Sequence, residues 1–312
     1  MNGPNPLRGR AAVRRLLHRD PLTAADLVMP MLVRQQPTAS PLPTFSLHEV
    51  GPAAAALAQL GVGAVKLFAG GATRNPAGGD AASPFAPMIH AIEEVKGSAP
   101  DMAVITENCL CSYTGGLCVL TNEGHYDHAA TLDTLAAQAV HQARAGADVI
   151  GPASMVDGHT GRVRAALDAD GHHDVALMPH LIFTSTMYGT YRETMRATPR
   201  GNRAAFQVHV SRPEQALGVA RRMVAEGADM LLLEPAIHTV DLLGALGRVL
   251  PEVPLVPFSV SGEWAEITYS GQRPVNEYVP ALLERLRMYK RSGAAAVITY
   301  SAQAAAQHMR AA

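Results

Sequence analysis

The chain has 312 residues, of which 48% are apolar and 17% are charged, and its formal net charge is −1. This composition is ordinary for a soluble globular protein and excludes a disordered or fibrous chain. Because the arginines are scattered, no basic block favours binding to nucleic acid or to a membrane surface, so the expected partner is a small molecule.

The sequence contains no signal for export and no segment for membrane insertion. No apolar run approaches the roughly 18 residues of a membrane span, and the arginine-rich residues 1–20 lack the apolar stretch of a secretory signal. We therefore predict a cytoplasmic protein. The three cysteines lie within ten residues of one another, which is unsuited to a secreted disulfide framework and indicates metal or redox chemistry.

Eight short apolar segments, too short for helices, follow one another along the chain and predict buried strands. They are residues 28–33, 60–68, 102–109, 145–154, 175–184, 226–236, 254–261 and 292–301. Amphipathic segments of helical length lie between them, for example 131–145, 213–226, 238–249 and 278–291. Eight alternating units predict an α/β chain folded as a closed (β/α)8 TIM barrel. An open doubly wound sheet is the alternative, but no GxGxxG follows the first strand.

The predicted barrel divides the chain into three parts. Residues 1–25 precede the first strand and form an N-terminal arm, and residues 26–312 form the barrel domain. Within it, the long polar connection 185–212 after strand five is a predicted lid. Active sites of such barrels lie where strands end. The residues at these ends are Phe68, Glu107 to Cys111, Ser154, Ile182, Glu234, Ser261 and Tyr300.

The cysteines predict a Zn2+ site. Cys109 and Cys111 are two residues apart, so on an extended strand end both face one side, and a loop containing Gly115 and Gly116 can return Cys118 to them. Three thiolates without a fourth fit a zinc centre that keeps one position open for water or substrate. The alternative is three unrelated buried thiols, since free cysteine packs as a small apolar residue.

Several stretches together match a known pattern in order and spacing. They are DLVMPMLV, ITENCLCSYT, AGADVIGPASMVDG, MYGTYRETM, NRAAFQ, EGADMLLLEPA, VSGEWA and KRSGAAAVITYSA. On these motifs the sequence resembles the porphobilinogen synthase (δ-aminolevulinic acid dehydratase) family over nearly its whole length. The resemblance implies a (β/α)8 barrel with an arm, assembly as homo-octamers or hexamers, and condensation of two 5-aminolevulinate molecules into a pyrrole.

The resemblance also assigns site residues by position. It implies a three-cysteine zinc site and two carboxylate-binding sets, with Phe68 at the same mouth. The zinc residues are Cys109, Cys111 and Cys118; one carboxylate set is Arg192, Arg203 and Gln207, and the other is Ser261 and Tyr300. The planar guanidinium of arginine suits a carboxylate independently of any family.

The departures from the family pattern concern the chemistry itself. The two Schiff-base lysines of the family fall on Ile182 and Glu234, and neither side chain supplies an amine nucleophile. Glu107 replaces the family's aspartate, and Ala153 and Ser154 replace its Ser-Asp pair. The sequence therefore predicts a site that has kept metal and carboxylate binding but lost the family's imine chemistry.

The chain has only three lysines that could take the place of the two Schiff-base lysines of the family. Lys66 shares its strand parity with Phe68, so it either points into the barrel, where burial would make its amine nucleophilic, or extends past the barrel end towards solvent. Lys96 and Lys290 fall on helices and are not expected to reach the mouth.

The leading hypothesis is a zinc-dependent enzyme with altered, non-Schiff-base chemistry on a small amino or keto carboxylic acid, in specialised biosynthesis. The reaction would be a condensation, a dehydration, or the formation or cleavage of a C–N bond, with Glu234 and Glu107 as acid and base. The alternatives are a non-catalytic ligand-binding barrel and a genuine porphobilinogen synthase. Glu234 could also be structural, paired with an arginine of the lid. A homo-oligomer (octamer, hexamer or dimer) is expected.

Overall fold

The computed structural model describes residues 22–34, 40–71, 75, 78–116, 118–198 and 206–311. These ranges contain ten strands, and neighbouring strands of the sheet run parallel. The strands are β1 (Leu27–Val33), β2 (Thr44–Phe45), β3 (Ala64–Ala69), β4 (Ala103–Asn108), β5 (Val149–Pro152), β6 (Ala176–Leu177), β7 (His180–Ile182), β8 (Leu231–Glu234), β9 (Leu255–Ser259) and β10 (Val297–Thr299).

The sheet order is β6-β5-β4-β3-β1-β10-β9-β8-β7, with β2 paired to β1 beside this path. Its two ends, β6 and β7, are consecutive in sequence and are separated only by Met178 and Pro179. The Met178 N–H donates to Ile150 O of β5, whereas Leu232 N–H of β8 donates to Pro179 O. The two short strands are thus the halves of one barrel strand, which closes the ring. The predicted eight-stranded barrel is confirmed.

Helices follow the strands, as the sequence predicts. They are α1 (Leu47–Gln59), α2 (Pro87–Ser98), α3 (Cys111–Thr114), α4 (His128–Arg144), α5 (His159–Ala169), α6 (Gly189–Met195), α7 (Pro213–Ala225), α8 (Val240–Val249), α9 (Ser261–Thr268), α10 (Val275–Arg291) and α11 (Ala302–Ala311). The four helices named in advance are found within a few residues of their expected bounds. No helix in these ranges is long and apolar enough to cross a membrane.

Strand parity sorts side chains into two buried layers. On β3, Val65 and Leu67 point outward into the core shared with the helices, whereas Ala64 and Phe68 point into the barrel. The outward face of β4 is polar and buried: Thr106 Oγ1 donates to Gln142 Oε1 at 2.8 Å, and Asn108 Nδ2 donates to Gln138 Oε1 at 2.8 Å. These bonds fix β4, and hence Glu107 on its inner face, against α4.

Of the predicted arm, the described part begins at Leu22, which is buried. The Asp26 carboxylate pairs with Lys290 Nζ of α10 at 2.8 Å, which ties the entry of the barrel to its penultimate helix. Of the predicted lid, residues 185–198 and 206–212 are described and include α6. The arm and lid boundaries remain predictions.

Candidate active site

A cavity of about 90 Å3 opens at the carboxyl ends of the strands, where a TIM barrel carries its site. Six apolar or aromatic residues at or just after strand ends, together with two lid tyrosines, form much of its wall. The full lining is Phe68, Glu107, Cys109, Cys111, Ala153, His180, Ile182, Tyr188, Tyr191, Arg192, Ala197, Gln207, Glu234, Phe258, Val260, Ser261 and Tyr300.

Glu234, the last residue of β8, is paired with a histidine of the neighbouring strand. Its Oε1 lies 2.9 Å from His180 Nδ1, and both side chains are almost completely buried. Burial raises the pKa of Glu234 to about 7, against the charges of Lys66 and Arg192. Burial and the charge of Lys66 hold the pKa of His180 well below its usual range. The imidazole is therefore neutral, with Nδ1 turned to the carboxyl group.

The other ring nitrogen of His180 is free. His180 Nε2 is buried and has no hydrogen-bond partner among the described residues. Since Nδ1 serves the carboxyl group of Glu234, Nε2 is the nitrogen left for a ligand: it accepts a hydrogen bond when Nδ1 carries the ring proton, and it donates one when Glu234 donates its proton to Nδ1. The pair can therefore move protons at the floor of the cavity.

Lys66 points into the barrel and is completely buried, so the alternative of an outward-extending lysine is wrong. Its Nζ donates to Thr106 O at 3.2 Å and lies 5.2 Å from the centre of the Phe68 ring. Burial lowers the pKa of Lys66 to about 8, and the charges of Glu107 and Glu234 oppose this shift. The barrel interior thus holds an amine that is partly neutral near neutral pH.

Gly151 on β5 provides the space for these groups. A methyl group at this position would lie 2.9 Å from Lys66 Nζ, 3.1 Å from His180 Nε2 and 2.7 Å from Thr106 O. Any larger residue would displace the amine or the imidazole. The two nitrogens therefore face each other across a gap that only glycine leaves open.

The second predicted carboxylate, Glu107, is close enough to Lys66 for each group to affect the pKa of the other. Its Oε1 accepts a hydrogen bond from Tyr191 OH of the lid at 3.0 Å. Burial raises the pKa of Glu107 to about 7, although Lys66 and the Tyr191 hydroxyl favour the charged form. Two carboxyl groups with raised pKa values therefore line the cavity, and the amine of Lys66 lies close enough for both of their charges to affect its pKa.

The lid is attached to the barrel through Ser261, the first residue of α9. Ser261 Oγ accepts from Tyr191 N–H at 3.1 Å and donates to Met187 O at 3.1 Å. The hydroxyl predicted to bind a carboxylate is thus engaged by the lid backbone. Arg192 lines the cavity with its guanidinium 4.7 Å from the Tyr188 ring centre. Gln207 also lines the cavity, while Arg203 lies outside the described residues.

Aromatic rings form the opposite wall. The Phe68 ring packs edge-on against Tyr191 at 5.2 Å and stacks on Phe258, which in turn contacts Tyr300. The Tyr300 hydroxyl is buried without a hydrogen-bond partner in the described part of the chain. An unpaired buried hydroxyl that lines a cavity is available to a ligand. Ile182, at the other lost lysine position, contributes only an apolar surface.

The structure corrects the expected geometry of the cysteines. The chain leaves β4 at Asn108 and turns into α3 at Cys111, so the CLC segment is not the extended strand end that was predicted. Cys109 and Cys111 nevertheless both line the cavity, and Cys111 N–H lies 3.5 Å from Cys109 Sγ. Cys118 is buried but is not part of the cavity wall.

These thiols do not fit a three-thiolate zinc centre as they are placed. Within the described ranges, no three His, Cys, Asp or Glu side chains are grouped so as to hold a metal ion. Hydrogen bonding to Cys111 and burial also raise the pKa of the Cys109 thiol well above its usual range. A metal would have to displace such protons on binding, and we assign no reaction step to it.

The structure thus brings together the predicted residues Phe68, Glu107, Cys109, Cys111, Ile182, Arg192, Gln207, Glu234, Ser261 and Tyr300. Sequence reasoning missed His180, Tyr188 and Tyr191. His180 had a signal: it is a polar residue inside an apolar strand, with the same parity as Ile182. The tyrosines had none, because a lid residue's direction depends on how the lid folds back.

Comparison with known proteins agrees with this architecture. The family model described as delta-aminolevulinic acid dehydratase matches residues 2–308. The chain belongs to the delta-aminolevulinic acid dehydratase family. It is 33% identical to the enzyme of that name from Halalkalibacterium halodurans, covering 95% of this chain and 93% of the relative. The Bacillus subtilis relative is 32% identical, covering 96% of each chain.

A solved structure of the family superposes on this chain. It is the delta-aminolevulinic acid dehydratase (porphobilinogen synthase) of Toxoplasma gondii in complex with its product porphobilinogen, with a TM-score of 0.88 and 26% identity. The superposition covers 98% of this chain and 91% of that one. The resemblance drawn from the sequence motifs is therefore confirmed, and with it the barrel fold.

Proposed function

We propose that this chain is an enzyme of the delta-aminolevulinic acid dehydratase family that acts on a small amino or keto carboxylic acid without Schiff bases at the two family lysine positions. The reaction is a condensation, a dehydration, or the making or breaking of a C–N bond in specialised biosynthesis. The observation that carries the proposal is the buried Glu234–His180 pair, 2.9 Å apart, at the site of one lost lysine.

The pair supplies acid chemistry at a position where the family has an amine. Protonated Glu234 donates to a leaving oxygen or nitrogen, and the free Nε2 of neutral His180 hydrogen-bonds the substrate and orients it against this carboxyl group. Arg192 and the unpaired Tyr300 hydroxyl bind the substrate carboxylate, while Phe68 and Phe258 exclude water from the reacting atoms. Glu107 is a second acid or base on the facing strand.

The zinc site stays part of the proposal as a binding site. Cys109 and Cys111 would provide two ligands from the cavity wall, and Cys118 would have to approach them for the third. The zinc content of the purified protein tests this site, with Cys118→Ser as the variant and Ser292→Ala as the control. A zinc stoichiometry that Cys118→Ser leaves unchanged would show that Cys118 is not a ligand.

We also propose that the chain forms a homo-oligomer.

The direct test is binding of small amino and keto acids, including 5-aminolevulinate, followed by turnover. Glu234→Gln should abolish turnover while retaining binding, because the amide keeps the shape of the side chain but cannot donate or accept the proton. The exposed Glu252→Gln is the matched control. Turnover undiminished in Glu234→Gln would reduce Glu234 to a structural residue paired with His180 or Arg192.

A genuine porphobilinogen synthase is the second candidate, supported by the near full-length similarity to relatives of that name. The absence of an amine at Ile182 and Glu234 argues against it. Pyrrole formation from 5-aminolevulinate decides between the two. Rapid pyrrole formation by the wild-type chain would overturn the claim of changed chemistry.

A non-catalytic ligand-binding barrel is disfavoured by the number of unpaired or pKa-shifted polar groups that line one cavity, namely His180, Tyr300, Glu107 and Glu234. A barrel that only binds would retain affinity for its acid while showing no turnover in either the wild type or the variants.

A further inference from the structure

We propose that Lys66 is the amine nucleophile of this site and forms an iminium bond with the ketone of a keto acid bound in the cavity. The inference rests on the proposed function, because it requires a keto acid as the ligand. It assigns covalent chemistry to a strand other than the two on which the family's lysines lie.

The position of the amine supports this role. Lys66 lies on β3 two residues before Phe68, which lines the cavity, so its side chain occupies the layer of the barrel directly beneath the cavity floor. His180, also of the cavity lining, faces the amine across the gap left by Gly151. Lys66 does not itself line the cavity, so the carbonyl of a bound keto acid has to approach Nζ past the His180 ring.

The hydrogen bonding of the amine leaves it available. A charged lysine offers three donors, yet Nζ makes one hydrogen bond, to Thr106 O, within the described residues. No carboxylate of these ranges lies within ion-pair distance of Nζ, although Glu107 and Glu234 both act on its charge. Burial favours the neutral amine, the nucleophilic form.

The remaining lysines are occupied elsewhere. Lys96 Nζ pairs with Asp148 at 2.6 Å and donates to Met102 O, on the helical layer outside the barrel. Lys290 Nζ pairs with Asp26 at 2.8 Å and donates to Ala295 O. Because these two amines are ion-paired and hydrogen-bonded outside the cavity, they serve as internal controls for any reaction at Lys66.

The step balances with groups already in place. The neutral Nζ attacks the ketone carbon, and the adduct becomes a carbinolamine after a proton moves from nitrogen to oxygen. Protonated Glu234 gives its proton to that hydroxyl, the C–O bond breaks and water leaves. The products are an iminium cation on Lys66, a Glu234 carboxylate beside it and one water molecule, so the net charge of the site is unchanged.

The test is reductive trapping with levulinate, a five-carbon keto acid that has no amine of its own. Sodium borohydride adds hydride to an iminium carbon and leaves a stable secondary amine. The full-length chain is treated, digested and analysed by peptide mass spectrometry. The mass of the peptide that contains Lys66 is expected to increase by the mass of levulinic acid less one oxygen, and no other lysine should carry this adduct. Lys66→Met should lose the adduct, while Lys96→Met should keep it. Circular dichroism verifies that each variant is folded.

Binding measured by calorimetry separates the two proposals. Levulinate binding without a borohydride adduct on Lys66 overturns the covalent role and leaves the proposed function standing. An adduct on Lys96 or Lys290 at equal yield also overturns it, since it would mark nonselective modification. If levulinate neither binds nor forms an adduct, both proposals are overturned for keto acids. If Lys66→Met is unfolded, the location of the adduct in the wild-type chain still decides.

Discussion

Glu234 ends a strand whose preceding residues are all leucine, and its carboxyl group titrates inside the barrel. Its pKa is about 7 in the folded chain, compared with 4.5 for an ordinary glutamate, because burial disfavours the charge. Between these two values the folded chain binds more protons than the unfolded chain, so stability falls as pH rises through this window. The charge at this residue therefore costs folding free energy at neutral pH.

This linkage gives a prediction for Glu234→Gln. The amide stays neutral, so the loss of stability between roughly pH 5 and roughly pH 8 should be smaller than in the wild type by about 2 kcal/mol. Urea unfolding at the two pH values measures the difference. The exposed Glu252→Gln should follow the wild type; an equal pH dependence in Glu234→Gln would contradict the raised pKa.

At Gly151 a single methyl group is expected to disturb the site. Gly151→Ala would bring Cβ to 2.7 Å from Thr106 O and to 2.9 Å from Lys66 Nζ, distances that require the strand or the lysine to shift. We expect a loss of about 1–3 kcal/mol in the free energy of unfolding, together with weaker levulinate binding. Gly97→Ala, whose added methyl group meets no atom within 4 Å, is the control. Unchanged stability and binding would mean that the gap between the amine and the imidazole is larger than described.

At the scale of elements, the contact between α9 and the lid depends on backbone approach. Gly262 N–H donates to Met187 O at 2.7 Å, and a Cβ at residue 262 would lie 2.7 Å from Met187 Cα, Cβ and O. Together with the Ser261 hydroxyl, this contact holds α6 and its Tyr191 and Arg192 over the cavity. The lid's position is thus set by the first turn of α9.

Gly262→Ala is expected to push the lid away from the barrel. Amide hydrogen exchange over residues 187–195 should accelerate several-fold, and levulinate affinity should fall because Arg192 moves with the lid. Gly218→Ala, in the interior of α7 with no atom near its added methyl group, should instead stabilise the chain by about 0.5–1 kcal/mol. Identical exchange in Gly262→Ala and Gly218→Ala would argue against this attachment.

Elements were predictable from sequence where local patterns decide them. Apolar runs too short for helices located the eight barrel strands, and helix-stopping glycines located several of their starts. The break at Pro179, which splits one barrel strand between two partners, follows from backbone hydrogen bonding that no periodicity reports. The turn that begins at Leu110 likewise depends on tertiary packing, which explains why the extended geometry expected of Cys109 and Cys111 was wrong.

Site residues could be predicted where the alternation of side chains along a strand fixes their direction. Glu107, Ile182 and Glu234 are strand-end residues and line the cavity, as expected. The direction of Lys66 stayed open because a long side chain can leave a barrel at either end, and only the space at Gly151 decides it. The lid tyrosines and the engagement of Ser261 depend on how the lid folds back, which the sequence does not report.

At the scale of the whole molecule, a second buried carboxylate links helices behind the barrel. Glu263 is completely buried; its Oε2 accepts from Tyr289 OH of α10 at 2.8 Å, and its Oε1 lies 3.4 Å from Ile237 N and Val260 N. One side chain thus joins α9, α10 and the segment after β8. Removal of the tyrosine hydroxyl leaves the carboxylate short of a donor in a dry environment.

Tyr289→Phe is accordingly expected to lower the free energy of unfolding by about 1–3 kcal/mol. Denaturant unfolding measures it, and Tyr269→Phe, whose ring is 65% exposed, is the matched control and should change stability little. A Tyr289→Phe variant as stable as Tyr269→Phe would mean that the hydrogen bond to Glu263 contributes nothing to the global fold.

The space left by Gly151 and the nearby ionisable side chains of Lys66, His180 and Glu234 also imply a trade-off between folding stability and activity. An apolar filling of Lys66, His180 and Glu234 would remove their desolvation cost, and such replacements of buried charges often stabilise a protein. A barrel selected only for folding stability would carry apolar residues such as leucine at these three positions. The chain instead keeps destabilising ionisable groups in the barrel interior. Selection for thermal stability alone should therefore favour apolar substitutions at these positions and yield a more stable but inactive barrel.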